Sequence, residues 1–205
     1  MRQHSFASHT PEENRHLSNI GHIAEGITFV IVALFAFLDG VGNAAWAAKA
    51  WPILLLCAGV VLLVLIYPRH PASDWPAIWR DMQQRQHTIM AVAVAAASAA
   101  ELFRGSIQVL AYVWPGAAIL IGRMFLIHEQ HGTSQAAANA VRQHRILGLT
   151  LIAAGLLRAG EVSTGNALLA IAWPVALFGA ALQMLYYREP DGAFETHHGP
   201  GHHAQ

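Results

Sequence analysis

The sequence predicts an all-α fold, an integral membrane bundle of six transmembrane helices. Three observations carry that expectation. Hydrophobic residues make up 55% of the 205 positions and charged ones only 12%, about half the charge that a soluble domain spreads over its surface. The mean hydropathy is +0.38. The apolar residues also fall into six runs separated by polar links, several of them close to the roughly 20 helical residues that cross a hydrocarbon core of about 30 Å.

The first 19 residues, MRQHSFASHTPEENRHLSN, are polar and hold no apolar stretch of the signal-peptide kind, so a retained first span is expected. Span one is read as Ile20 to Leu38 and span two as Trp51 to Tyr67. The connection after it carries Trp75 and Trp79 four residues apart, the pattern of a short helix lying at the interface. Span three, His87 to Phe103, is rich in alanine. Span four is Ile107 to Ile127, with Pro115 as a candidate kink. Span five is His144 to Leu157, and span six is Ala167 to Tyr187. The domain organisation is therefore a polar N-terminal segment (1–19), a membrane domain (20–188) and a His-rich tail (189–205) expected to be disordered. No internal repeat stands out, and the span lengths do not suggest an inverted pair.

An even span count puts both termini on one side, here face A, together with the two longer links. Arg2, Arg15, Arg69, Arg80, Arg85, Arg142, Arg145 and Arg188 fall on face A; Lys49, Arg104 and Arg158 fall on face B. The positive-inside rule makes face A cytoplasmic, in a multi-pass inner-membrane protein. A net charge of zero argues against a nucleic-acid partner. One cysteine, Cys57, excludes a disulfide within the chain. The expected partners are the lipid bilayer, a metal ion, and either further copies of the chain or a membrane partner subunit.

Histidine is the outlier, with 13 in the chain. All fall on face A. His22 opens span one, His87 span three and His144 span five, while His128 and His131 close span four. Histidine at the edge of the apolar slab is costly unless it faces the bundle interior and finds a partner. Helical spacing adds companions: Glu25 lies three residues from His22, Met90 three from His87, and Met124 four before His128. Imidazole with thioether suits copper, above all Cu(I), and imidazole with carboxylate suits Zn, Fe, Mn or Cu(II). The expected function is metal binding near face A by His22, His87, His128 and His144. His131, Glu25, Met90 and Met124 are further candidate ligands or ligand-orienting groups, and the favoured role is copper storage, transfer or transport.

The alternative from another class is a b-type haem held through two of His22, His87, His128 and His144, in an electron-transfer oxidoreductase. A third is a non-catalytic assembly protein with a histidine-lined rim. Glu101 and Arg104, three apart near face B, read as an intrahelical ion pair. The sequence lacks a Cys-x-x-Cys-His haem attachment, a Cys-Pro-Cys and a Walker A loop. Whether the chain is an enzyme is left open.

Overall fold

The computed structural model describes residues 10–42, 44–66, 79, 82–127 and 134–191, and these are almost wholly helical. The helices are α1 (Pro11–Gly40), α2 (Ala47–Ile66), α3 (Met82–Phe103), α4 (Val113–Leu126), α5 (Ser134–Thr164) and α6 (Ala167–Tyr186). Five helices are long and apolar enough to cross a membrane, and a shorter apolar helix covers Ala47–Leu63. Only about a fifth to two-fifths of each of the five apolar windows is buried within the protein. Ile27, Leu34, Val61, Leu149, Leu156 and Val175 all point outward. In water such a surface would far exceed the apolar patches that soluble proteins expose; facing lipid, it costs nothing. Hydroxyls on these helices are satisfied locally, Thr28 by Ala24 O, Ser98 by Val94 O and Thr150 by Ile146 O.

The element boundaries differ from expectation in three places. Helix α1 starts at Pro11, nine residues before the first apolar run, because Thr10 and Glu13 form a capping box and a proline occupies the first turn. Helix α5 starts at Ser134 and is 31 residues long, so His144 lies well inside it. Span four is a 3-10 turn, Gln108–Tyr112, followed by α4. Pro115 sits in the first turn of α4, where no intrahelical N–H is lost, so it starts a helix and does not kink one. At the other end of the chain the ordered bundle extends past residue 188, since Glu189 is buried against α1. The interfacial helix expected from Trp75 falls largely outside the described residues.

Each helix packs against its neighbours in chain order, and α6 returns to α1, closing a ring of six. The ring is a threefold repeat of a helical hairpin, which the sequence alone did not reveal. His22, His87 and His144 lie on α1, α3 and α5, and Trp51-Pro52, Trp114-Pro115 and Trp173-Pro174 lie near the starts of α2, α4 and α6. A fourth Trp-Pro pair, Trp75-Pro76, lies in the long connection. Four residues after each histidine comes a buried small residue, Gly26, Ala91 or Gly148. Seven residues further on come Ala33, Ser98 and Gly155, all buried. Eight residues after each tryptophan come Gly59, Gly122 and Ala181.

These small residues set the closest helix contacts. A Cβ on Gly122 would lie 2.6 Å from Gly148 O, one on Gly59 would lie 3.2 Å from Ala91 O, and one on Gly26 would lie 2.8 Å from the Leu185 side chain. So α4 meets α5, α2 meets α3, and α6 meets α1 at the same level of each repeat, the small-residue packing expected of helices in lipid. The three tryptophans meet in the lumen near face B, with ring centroids 5.5 Å (Trp51–Trp173), 5.8 Å (Trp51–Trp114) and 6.5 Å (Trp114–Trp173) apart. The buried core that these tryptophans join also holds Val32, Ala36, Val94, Ala97, Leu151, Ala154 and Leu177.

Candidate functional site

The face-A end of the ring brings His22 and His144 together. Their ring centroids are 6.4 Å apart. His22 comes from α1 and His144 from α5, and Tyr187, at the end of α6, packs against both, at 4.4 Å and 5.4 Å. Phe125 of α4 stacks on the far side of His144 at 5.5 Å. His87 on α3 is more exposed but within electrostatic reach of both rings.

Backbone hydrogen bonds fix the tautomers. His22 Nδ1 lies 2.8 Å from Ser18 O, and His144 Nδ1 lies 2.8 Å from Ala140 O. A carbonyl oxygen only accepts, so Nδ1 carries the proton in each ring and the lone pair is on Nε2. This is the arrangement by which a backbone carbonyl orients a metal-ligating histidine.

A cleft of about 230 Å³ lies beside the two rings, lined by His22, Gln143, His144, Gln183, Met184 and Tyr187 among others. The amide of Gln183 is oriented by its neighbour. Thr150 donates its hydroxyl to Ile146 O at 2.9 Å, so it can only accept from Gln183 Nε2, at 3.0 Å. Gln183 Oε1 is left buried and unpaired. The Tyr187 hydroxyl is committed to Glu189 Oε2 at 3.0 Å. Burial and the adjacent carboxylate push the Tyr187 phenol up, so it stays protonated. Gln183 Oε1 and the unprotonated imidazole nitrogens are all acceptors, which suits a cation better than an anion.

Of the residues expected at the site, His22, His144 and, nearby, His87 converge. His128 and His131 lie outside the described residues. Glu25 is half-buried one turn from His22 but does not line the cleft, and it has no hydrogen-bond partner among the described residues. Met90 packs against the apolar core and Met124 is buried in α4; neither lines the cleft. The thioether at the cleft is Met184 instead. Span six has no histidine among its apolar residues, yet Met184 and Tyr187 stand three apart on one face of its end. Among the described residues, no group of three or more His, Cys, Asp or Glu side chains could hold an ion.

The face-B end carries a second polar assembly. Glu101 and Arg104 pair at 3.0 Å, as their spacing predicts. What the spacing does not show is Arg158 of α5, whose Nη2 lies 2.5 Å from Glu101 Oε1 and which also pairs with Glu161. Arg104 reaches Asp39 of α1 at 3.8 Å. The result is a chain of alternating sign, Asp39, Arg104, Glu101, Arg158, Glu161, drawn from all three hairpins. The Glu101 and Arg158 side chains are 0% and 3% exposed, and the Arg158 guanidinium lies 5.1 Å from the centre of the Trp173 ring.

No family model matches the chain, and neither a curated protein nor a solved structure matches it.

Proposed function

We propose that this is a membrane metal-binding protein that holds copper at the face-A cleft, between His22 and His144. The observation that carries the proposal is the pair of imidazoles, 6.4 Å apart between centroids, each with Nδ1 donating to a backbone carbonyl of its own helix. Metal–nitrogen bonds of about 2.0–2.1 Å would hold the centroids of two imidazoles about 5–6.5 Å apart; the observed separation is 6.4 Å. Met184 supplies a thioether to the same cleft, and two imidazoles with a thioether form a set suited to Cu(I). His87 lies within electrostatic reach of both rings and is a candidate third imidazole. The role is storage, transfer or transport of the ion.

The haem alternative, using the same two histidines, has weaker support. The cleft is smaller than the roughly 300–1,000 Å³ that enclose drug-sized ligands, and a porphyrin is larger than most of those. The arginine asymmetry of the sequence supports an inner-membrane location with both termini cytoplasmic. Reporter fusions at Gln205 and in the 41–46 turn test that orientation.

The metal test is elemental analysis and anaerobic Cu(I) titration of protein purified without a polyhistidine affinity step. About one copper per chain is expected. His22→Ala and His144→Ala should each lose it, and Met184→Leu should bind more weakly. Unchanged copper in the His22→Ala/His144→Ala double variant overturns the proposal. A Soret band on the purified protein favours haem.

A further inference from the structure

The groups offered to the ion in the cleft, His22, His144 and Met184, are all neutral as ligands. Cu(I) bound there brings a whole positive charge to the end of an apolar bundle, and a charge taken out of water needs a compensating one. The acids at this end differ in what they offer. Glu12 and Glu13 are exposed at the start of α1. Asp191 pairs with Arg15. Glu25 lies one turn beyond His22 and does not line the cleft. Glu189 is buried and is bonded to residues that touch the site histidines.

Glu189 Oε2 accepts two hydrogen bonds, from the Tyr187 hydroxyl at 3.0 Å and the Ser18 hydroxyl at 3.0 Å, and the Glu189 backbone N–H donates to Asn19 Oδ1 at 2.7 Å. Tyr187 packs against both site histidines. Ser18 holds His22. Its carbonyl accepts from Nδ1 at 2.8 Å, and its hydroxyl, already donating to Glu189, can only accept from Nδ1 at 3.4 Å. The donors therefore run in one direction, from His22 through Ser18 to Glu189.

Resting on the copper reading above, we infer that Glu189 is the counter-charge of the cleft and a positioning residue for His22. Two effects of the same sign follow. The carboxylate attracts a cation held beside His22, which lies within its electrostatic reach. Because Glu189 is buried, salt screens that attraction weakly. Two unit charges about 10 Å apart, at an effective dielectric of about 20, attract strongly enough to change an affinity by roughly tenfold. The second effect runs through the hydrogen bonds. An acceptor chain behind Nδ1–H holds the ring in place and makes the imidazole a more basic ligand, as carboxylates do behind metal-ligating histidines.

Two variants separate charge from shape. In Glu189→Gln the amide oxygen can still accept from Tyr187 and Ser18, but the negative charge is gone. Glu189→Asp keeps the charge and, one methylene shorter, strains both hydrogen bonds. The test measures Cu(I) affinity of each full chain in detergent by anaerobic competition with a chromophoric chelator, together with thermal melts of the copper-free proteins. Glu189→Gln is expected to bind Cu(I) roughly tenfold more weakly than the unaltered chain, and Glu189→Asp to stay within about threefold of it, even where the Asp variant melts lower. An Asp variant that binds no better than the Gln variant overturns the counter-charge, because shape alone then governs the site. So does a Gln variant that binds like the unaltered chain, with copper still dependent on His22 and His144. An unaltered chain that takes up no copper, or copper retained in the His22→Ala/His144→Ala chain, overturns the cleft and the counter-charge together.

Discussion

Replacing Arg158 with Met tests whether the alternating charge chain at face B holds the ring together. The substitution keeps most of the side chain's length over Trp173 and removes the guanidinium. Glu101, fully buried, then loses its closest partner and keeps only Arg104, a third of which is exposed. Removing one partner of a buried pair typically costs about 3–5 kcal/mol; because Arg104 remains, about 2–3 kcal/mol is expected here. For a chain of this size each kcal/mol shifts the midpoint by roughly 2–4 °C, so Tm should fall by about 5–10 °C. Thermal unfolding in detergent, followed by far-UV circular dichroism and by emission from the three lumenal tryptophans, reads this directly. The double variant Glu101→Gln/Arg158→Met removes the stranded carboxylate and should recover at least half of the loss. A fall below about 2 °C for the single variant, or a double variant less stable than the single, would refute the argument that the pair is coupled across the hairpins.

Three further outcomes are expected. Gly148→Ala places a methyl carbon against Gly122 O at a separation no Cβ contact tolerates; α4 and α5 must part, at a cost of about 1–3 kcal/mol, measurable as a lower Tm. Tyr187→Phe keeps the ring against both histidines but takes a donor from the buried Glu189 carboxylate, a loss of about 1.5–3 kcal/mol, visible in the same melt and in faster proteolysis after residue 189. Copper occupancy should drop on acidification, because a proton on Nε2 removes the lone pair that binds the ion. The decline should be steeper than one proton would give and should reverse on neutralisation. A copper content that never falls on acidification while the protein stays folded contradicts histidine ligation.

The helical membrane bundle was legible in the sequence because apolar runs of bilayer length leave few other structures possible. That His22 and His144 lie at one level was legible for the same reason, since the spans fix depth. Which side chains share a cleft was not. Depth is a one-dimensional property, and neighbourhood depends on how the helices are arranged around the ring. Met90 and Met124 lie at suitable spacings from histidines on their own helices, yet Met184 reaches the cleft from a helix with no histidine in its span, because α6 packs against both α1 and α5. Arg158 was counted only as a face-B charge; its partner Glu101 lies 57 positions away, beyond any local spacing rule. The repeat is faint in the sequence because its copies share only small residues, the histidine and Trp-Pro, while the positions between them follow general apolarity.

Ala36, Glu101 and Arg158 occupy the same place in the three hairpins, fourteen residues after each histidine, and all three are buried. Three separate copies of one hairpin could not build that layer. Identical chains would bring three carboxylates or three guanidiniums to one dry level, and like charges there repel strongly. Joining the hairpins in one polypeptide lifts the requirement that the three places match. One can be empty of charge, one negative and one positive, so the layer is neutral and has a direction. The pair then works as a key: hairpin two fits beside hairpin three in one order around the ring, and a cyclic exchange of the hairpins would set Glu101 or Arg158 against the wrong neighbour.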